Sequence, residues 1–155
     1  MCDHCGCRGV EPIAELMDEH LALLDLEGEV RRQLAAEDRV GAMATVARLT
    51  DLLLAHVARE EAGIFAALKE QGDFAGAVAE LEGEHRALDV QLDELDPVSP
   101  EFARDLTRML DELVVHIDKE DQGIFPVSVV TLGAPGWATV EAAHEAAPSF
   151  LAAPA

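Results

Sequence analysis

Hydrophobic residues recur every three or four positions along four long stretches of the chain. In the first stretch, for example, Ile13, Leu16 and Leu24 share one side. This spacing is typical of an amphipathic α-helix with one face turned toward a core. The four stretches cover about residues 12–36, 40–70, 74–95 and 100–126. Because Ala and Leu dominate and β-branched runs are short, the pattern predicts an all-α fold.

Short breaks separate the four predicted helices. Gly72 is placed to stop the second helix, and Asp73 and Ser99 are placed to cap the third and the fourth. Pro100 opens the fourth helix, and Pro126 is expected to kink or end it. Since short loops join long helices, we expect neighbouring helices to run antiparallel. The predicted architecture is an up-down-up-down four-helix bundle.

Two shorter segments flank the predicted bundle. A Cys-rich arm precedes it, and an extension follows it with a short helix from Ala138 to about Ala147. We expect that helix to pack Trp137 on the bundle. The chain therefore divides into an arm, a bundle and an extension at residues 1–11, 12–132 and 133–155.

The sequence repeats itself. "EHLAL" at 19–23 matches "EHRAL" at 84–88, and "HVAREEAGIF" at 56–65 matches "HIDKEDQGIF" at 116–125. The two pairs occur in the same order, so the first helical hairpin resembles a copy of the second. Duplicated hairpins predict a bundle with pseudo-twofold symmetry.

Each predicted helix carries a histidine on its apolar face. These are His20, His56, His85 and His116, and helix lengths measured from the turns bring all four to a similar height. Glu60 and Glu120 follow two of them by four residues, which puts both members of each pair on the same face. Burying such groups costs several kcal/mol unless something pairs with them. The pattern therefore indicates a shared site and not four separate core histidines.

The kinds of side chain at this site indicate a metal. Four imidazoles and two carboxylates, with no thiolate inside the bundle, suit iron or manganese better than structural zinc. If each carboxylate bridges two metal ions, about two imidazoles remain for each ion. Six protein ligands cannot fill two octahedral coordination spheres, so positions stay open for water, hydroxide, dioxygen or peroxide.

At these residues the chain resembles the hemerythrin-like, cation-binding four-helix-bundle proteins, over about residues 12–126. The motifs that carry the resemblance are "DEH" at 18–20, "HVAREE" at 56–61, "EHRAL" at 84–88 and "HIDKEDQGIFP" at 116–126. The resemblance implies two non-haem iron ions joined by an oxo or hydroxo bridge. It also implies that the iron ligands are His20, His56, Glu60, His85, His116 and Glu120, with Glu60 and Glu120 bridging.

The chain departs from the oxygen carriers of that family, which have a fifth histidine in a His-x-x-x-His pair. Here Leu81 lies four residues before His85 and Asp89 lies four after it, so one iron has fewer protein ligands or recruits Asp89 or water. The carriers also space the last histidine and its carboxylate by five residues, which would select Asp121. Glu120 is preferred because it repeats the spacing of the first copy, and Asp121 is the competitor.

Three functions fit these features. The first is a di-iron protein that binds dioxygen or a related small ligand, such as peroxide or nitric oxide, as a carrier, sensor or store. Buried side chains, with Phe65 and Phe125 as candidates, would keep its pocket dry. The second is a di-iron enzyme that handles peroxide, which the missing histidine favours. The third is a helical interaction module whose metal is purely structural.

Composition limits the partners and the location. A length of 155 residues suits one domain, and a net charge of −20 argues against nucleic acid or an anionic membrane as partner. No apolar run reaches the roughly 18 residues of a membrane span. The first residues include Asp3 and Arg8 instead of an apolar signal core. We therefore expect a cytoplasmic protein, and the sequence names no protein partner.

The N-terminal arm carries chemistry of its own. Cys2, Cys5 and Cys7 crowd into six residues together with His4, and they do not form a disulfide framework for a domain. The three thiols could bind a second metal, such as zinc or copper, or act as a redox pair. The alternative is a thiol-rich arm with neither role.

Overall fold

The computed structural model describes residues 6–152, and within that range the chain is helical with no β-strand. The prediction of an all-α fold is confirmed. The α-helices are α1 (Glu11–Ala35), α2 (Arg39–Glu60), α3 (Ala66–Gln71), α4 (Ala75–Asp93), α5 (Phe102–Lys119), α6 (Phe125–Thr131) and α7 (Ala134–Ala146). A short 3₁₀ turn, Cys7–Gly9, precedes α1.

Two of the long helices contain a π-helical turn. The turns are Glu61–Phe65, which joins α2 to α3, and Glu120–Ile124, which joins α5 to α6, both without a break in the helix. A π turn closes hydrogen bonds over five residues and inserts one extra residue into the helix. The insertion lets two consecutive residues point inward, and Ile64 and Phe65 are both fully buried. The two turns occupy equivalent places in the two copies of the repeat.

The observed breaks agree in part with those predicted. Gly72 ends α3 with a positive φ of 96°, as expected of a glycine C-cap. The prediction for Asp73 is wrong, because Phe74 is the N-cap of α4 and the Asp73 carboxylate accepts a hydrogen bond from Gln71 at 3.0 Å. The Ser99 hydroxyl accepts a hydrogen bond from the Glu101 amide at 3.1 Å, but α5 begins at Phe102 with Glu101 as its N-cap, so Ser99 does not cap this helix and Pro100 does not open it.

Two expectations near the C-terminus need correction. Pro126 does not end the fourth helical stretch, because the chain remains helical as far as Thr131. Pro126 is the second residue of α6, which follows directly on the second π turn, where the pattern of backbone hydrogen bonds changes. The last helix begins at Ala134, four residues earlier than predicted. Trp137 packs against the core, as expected.

Packing between the helices leaves a polar layer in the middle of the core. α1 contacts α2 and α5, α4 contacts α3 and α5, and α7 contacts the first π turn and α3. Two separate clusters of buried hydrophobic residues result. Along α1, Met17 belongs to one cluster and Leu23 to the other, and His20 lies between them. His56 and His85 likewise lie between the two clusters in sequence, whereas His116 lies between Leu113 and Ile117 of the second cluster.

One helical stretch, Arg39–Gln71, is long and apolar enough to span a membrane by length and composition alone. No stretch of this kind was expected from the sequence. One such stretch is weak evidence, because the core helix of a folded domain passes the same test. Its inner face carries the buried polar side chains of His56, Arg59 and Glu60.

Residues 1–5 of the predicted Cys-rich arm, which include Cys2, His4 and Cys5, lie outside the described residues. Cys7 is buried in the core, with 2 % of its surface exposed, and it is disulfide-bonded. A sulfur in a disulfide is not the thiolate that a metal requires. The second metal site predicted at Cys2, Cys5 and Cys7 stays a prediction, and Cys7 in this form does not support it.

Candidate metal centre

The structure brings the six predicted ligand side chains together at the polar layer. They come from all four long helical stretches and are at most 6 % exposed: His20, His56, Glu60, His85, His116 and Glu120. Their side-chain nitrogens and oxygens form two groups, each with all its ligand atoms within 4.8 Å of one another. The first group is His20, His56, Glu60 and Glu120, and the second is His85, His116 and Glu120.

Glu120 lies between the two groups. Its Oε2 is 3.2 Å from His20 Nε2, whereas its Oε1 is 2.9 Å from His116 Nε2 and 3.4 Å from His85 Nε2. One oxygen of this carboxylate therefore faces His20, and the other faces His85 and His116. For Glu60 a single oxygen, Oε2, makes both contacts: it lies 4.0 Å from His56 Nε2 and 3.4 Å from His85 Nε2.

The inward-facing atoms of this cluster have no hydrogen-bond partners. The Nε2 atoms of the four histidines and both oxygens of Glu60 and Glu120 are buried and unpaired. Leaving even one such atom unpaired in a protein interior costs about 1–3 kcal/mol, and more if it is charged. Imidazole nitrogens and carboxylate oxygens are metal ligands, so a bound cation fits this donor set.

The opposite nitrogen of each imidazole is held by a second carboxylate. The Nδ1 of His20 contacts Asp121 at 2.8 Å and the Nδ1 of His56 contacts Glu19 at 2.7 Å. In the other half, His85 contacts Glu61 and His116 contacts Glu84, both at 2.8 Å. With Nδ1–H donating to a carboxylate, the lone pair of Nε2 is the one that remains for a metal. We call Glu19, Glu61, Glu84 and Asp121 the outer carboxylates.

Sequence reasoning missed three of the four outer carboxylates and gave the fourth another role. Asp121 was the competitor of Glu120 as a bridging ligand, but the structure places Glu120 in the cluster and Asp121 on the far side of His20. A signal was present, because each outer carboxylate adjoins a predicted ligand in both copies of the repeat. In a chain with 31 acidic residues that signal was easy to overlook.

The electrostatics of the metal-free cluster differ from one histidine to the next. Burial lowers the pKa of His20, but its hydrogen bond to Asp121 and its close contact with the Glu120 carboxylate outweigh burial and raise this pKa to about 10. His85 behaves likewise, because contacts with Glu120 and Glu60 outweigh burial and raise its pKa to about 10. Two of the four imidazoles are therefore cationic at neutral pH before a metal binds.

His56 and Glu60 shift the other way and are less charged. Burial and the nearby charge of His20 lower the pKa of His56 to about 4, despite its hydrogen bond to Glu19. Burial and the charge of Glu120 raise the pKa of Glu60 to about 7. Burial raises the pKa of Glu120, but its close contacts with the imidazoles of His116, His20 and His85 outweigh burial and hold this pKa well below the usual range. The pKa of each of these groups thus depends on the charges of the other acids and bases in the cluster.

Aromatic rings cover the cluster on both sides. The Phe125 ring stacks on His20 and the Phe65 ring stacks on His85, each with a centroid separation of 5.6 Å. Both phenylalanines are fully buried. Leu81, which occupies the place of a fifth histidine, is buried, whereas Asp89 is exposed and belongs to neither group of ligand atoms. Recruitment of Asp89 to the cluster is therefore not seen.

Buried histidines and carboxylates from several helices, at the centre of an all-helical fold, define a class of helical metal-binding proteins. The sequence pattern of the hemerythrin HHE cation-binding domain matches residues 11–128. The chain therefore belongs to the hemerythrin HHE cation-binding family, as the resemblance in its motifs predicted. Neither a search of curated proteins nor a search of solved structures finds a match.

Proposed function

We propose that this protein is a non-haem di-iron protein that binds dioxygen or a related small molecule at an open iron position, as a carrier, sensor or store. The observation that carries the proposal is the set of buried, unpaired nitrogens and oxygens that converge from the six predicted ligands. Oxygen and nitrogen donors without a thiolate favour iron over structural zinc.

Two iron ions fit the division of the ligand atoms into two groups. His20 and His56 would hold one ion, His85 and His116 would hold the other, and Glu60 and Glu120 would contact both. Two imidazoles and shared carboxylates leave coordination positions free on each ion. Bound iron would supply the electrons and the open positions that dioxygen, peroxide or nitric oxide needs.

The chain contributes orientation and a dry environment. The outer carboxylates fix each imidazole with Nε2 inward, so that little reorganisation is needed on metal binding. Phe65 and Phe125 stack on two of the imidazoles, and hydrophobic clusters lie on both sides of the polar layer. Exclusion of water strengthens electrostatic interactions within the site and protects a bound small ligand from side reactions.

A peroxide-handling di-iron enzyme is the second candidate, and Leu81 favours it. A leucine in place of a fifth histidine removes one protein ligand near His85, and Asp89 is exposed and does not replace it. An iron with fewer protein ligands has more room for a reactant. Oxygen evolution from added peroxide would distinguish this enzyme from a reversible binder.

For the fold we propose the up-down-up-down arrangement of the four long helical stretches, with residues 133–155 as an added extension. The proposal is supported by short connections and by contacts of α1 with α2 and α5 and of α4 with α3 and α5. A cytoplasmic location remains a proposal from the sequence alone.

The proposed function is tested by visible spectra of anaerobically reduced, iron-loaded protein before and after exposure to oxygen. A charge-transfer band that appears with oxygen and disappears on its removal supports a carrier or sensor. Irreversible oxidation together with oxygen evolution from peroxide supports the enzyme instead. A matched variant, Glu120→Gln, keeps the size of the side chain but removes a charged ligand, and we expect it to lose the band.

A further inference from the structure

The two halves of the metal centre have the same inner residues but different surroundings. In the repeat, Arg59 corresponds to Lys119, and each contacts the outer carboxylate of the histidine three residues before it. Arg59 is 2 % exposed, whereas the Lys119 side chain is 43 % exposed. The two halves are therefore alike as far as the outer carboxylates, and they differ in the exposure of the basic side chains that contact these carboxylates.

The outer carboxylate of His56 is held by three side chains, two of which, Arg59 and Ser149, line a cavity of about 710 Å³. Glu19 is fully buried and accepts hydrogen bonds from His56 Nδ1, from Arg59 and from the Ser149 hydroxyl, the last at 2.6 Å. Burial raises the pKa of Glu19, but these hydrogen bonds and the Arg59 charge outweigh it, so the pKa is lowered and the carboxylate is ionised. Arg59 also contacts Glu15 at 2.7 Å and the His144 Nδ1 at 3.0 Å.

Two of these contacts come from the end of the chain, beyond the repeat. His144 lies on α7 and Ser149 lies just after it, in what we call the C-terminal segment, residues 134–152. The C-terminal segment contacts only one of the two π turns closely. A side chain at Gly63 would meet Ala143 at 3.4 Å and Val140 at 3.6 Å, whereas Gly123 at the same place in the second turn has open space around it.

The other half of the centre faces the surface. The outer carboxylates of His85 and His116 have side-chain exposures of 37 % and 28 %, against 13 % and 0 % for those of His20 and His56. A groove of about 400 Å³ lies beside His116, and a smaller one of about 170 Å³ lies beside His85. Leu54, Val57, Leu88 and Val115 are among the residues that line them.

We infer that the C-terminal segment makes the two metal positions unequal. Ser149 and Arg59 are positioning residues that hold Glu19, and through Glu19 they hold the His56 imidazole. An ion bound by His20 and His56 is therefore released more slowly than an ion bound by His85 and His116. This inference rests on the proposed two-iron centre. It adds that the ion held by His85 and His116 is the one that exchanges faster with the solution.

The test is the rate at which a ferrous chelator removes iron from the anaerobic, iron-loaded protein. Wild-type protein is expected to release iron in two phases of about equal size, one for each position. Ser149→Ala removes one hydrogen bond to Glu19, and we expect the slow phase to accelerate about tenfold with the fast phase unchanged. Ser149→Thr keeps the hydroxyl and is expected to restore the slow phase.

Matched glycine variants test the role of α7 separately. Gly63→Leu adds a side chain against Val140 and Ala143 and is expected to speed the slow phase, whereas Gly123→Leu adds one in open space and is expected to leave it unchanged. Helicity measured by circular dichroism shows whether each variant is folded, and Ser149→Ala remains as a test if Gly63→Leu does not fold.

The outcomes separate the inference from the function on which it rests. Release of two irons in a single phase would overturn the inequality and leave the two-iron centre intact. A slow phase that Ser149→Ala leaves unchanged, or that Gly63→Leu and Gly123→Leu accelerate equally, would overturn the role of the C-terminal segment. A protein that binds no iron would overturn both. A slow phase that responds to Ser149→Ala and recovers in Ser149→Thr supports the assignment.

Discussion

At the scale of single residues, the centre depends on pairs of acidic neighbours with different tasks. Glu120 points into the cluster and the adjacent Asp121 holds His20 from behind. The four histidines and two glutamates could be found from the sequence, because a titratable residue on an apolar helix face is unusual. The outer carboxylates were missed although each adjoins a predicted ligand, because acidic residues are common throughout this chain.

Removing one outer carboxylate should weaken metal binding without removing a ligand. Glu84→Gln replaces the acceptor for His116 Nδ1 with a neutral amide, and we expect about a tenfold loss of metal affinity in a competition titration. Glu80→Gln is the matched control, since the Glu80 side chain is 70 % exposed and its ion pair with Lys119 is long, at 3.6 Å. Equal affinities in the two variants would contradict the role given to Glu84.

Metal binding should also depend on pH. Because the pKa values of His20 and His85 are raised to about 10 in the metal-free protein, both imidazoles carry protons at neutral pH that a metal must displace. Protonation of Glu60, whose pKa is about 7, opposes binding at lower pH as well. Affinity should therefore rise from pH 6 to pH 8. Calorimetry in buffers of different ionisation enthalpy should show proton release, and binding without it would contradict this account.

At the scale of helices, the π turns are the feature that periodicity could not show. Ideal helix spacing from Glu60 predicts Ile64 on the inner face, and the extra residue of the turn brings Phe65 inward as well. Pro126 follows the second turn, but the equivalent position in the first copy is Ala66, so proline does not cause these turns. Their recurrence beside Glu60 and Glu120 agrees with the frequent occurrence of π turns at functional sites.

Two glycines, one at a helix end and one inside a helix, should change the free energy of unfolding in opposite directions when each is replaced by alanine. Gly72 has a φ of 96°, so Gly72→Ala forces a side chain into a left-handed conformation at a cost of about 1 kcal/mol. Gly83 lies inside α4 with only the flexible Arg86 side chain near it, so Gly83→Ala should stabilise the fold by about 0.5–1 kcal/mol. Chemical denaturation of the metal-free protein measures both, and destabilisation by Gly83→Ala would contradict the helix interior assigned there.

At the scale of the whole molecule, the duplicated sequence predicted two similar halves, and the helical core follows that prediction. The C-terminal segment breaks the similarity, and nothing in its composition indicated that Ser149 would reach Glu19. The terminal helix has no counterpart in the repeat, so the repeat could not indicate where it docks. It docks near Gly63 and Arg59, which are distant in sequence. Contacts of this kind can be identified only in the folded structure.

Metal binding should stabilise the molecule as a whole. The unpaired inner atoms penalise the metal-free fold, and a ligand present at 100 times its dissociation constant adds about 2.7 kcal/mol. We therefore expect ferrous iron to raise the melting temperature of the wild-type protein by several degrees. Combining Glu60→Gln with Glu120→Gln should abolish that rise, and a rise of equal size in the double variant would place the iron elsewhere.

The central claim is that the buried cluster is a centre for two metal ions. Anaerobic titration of the metal-free protein with ferrous iron, followed by elemental analysis of the desalted protein, tests it most directly. We predict about two irons per chain, falling to one or fewer in His116→Ala, since that variant removes a ligand of one position. Full iron content in His116→Ala, or no retained iron in the wild-type protein, would contradict the claim.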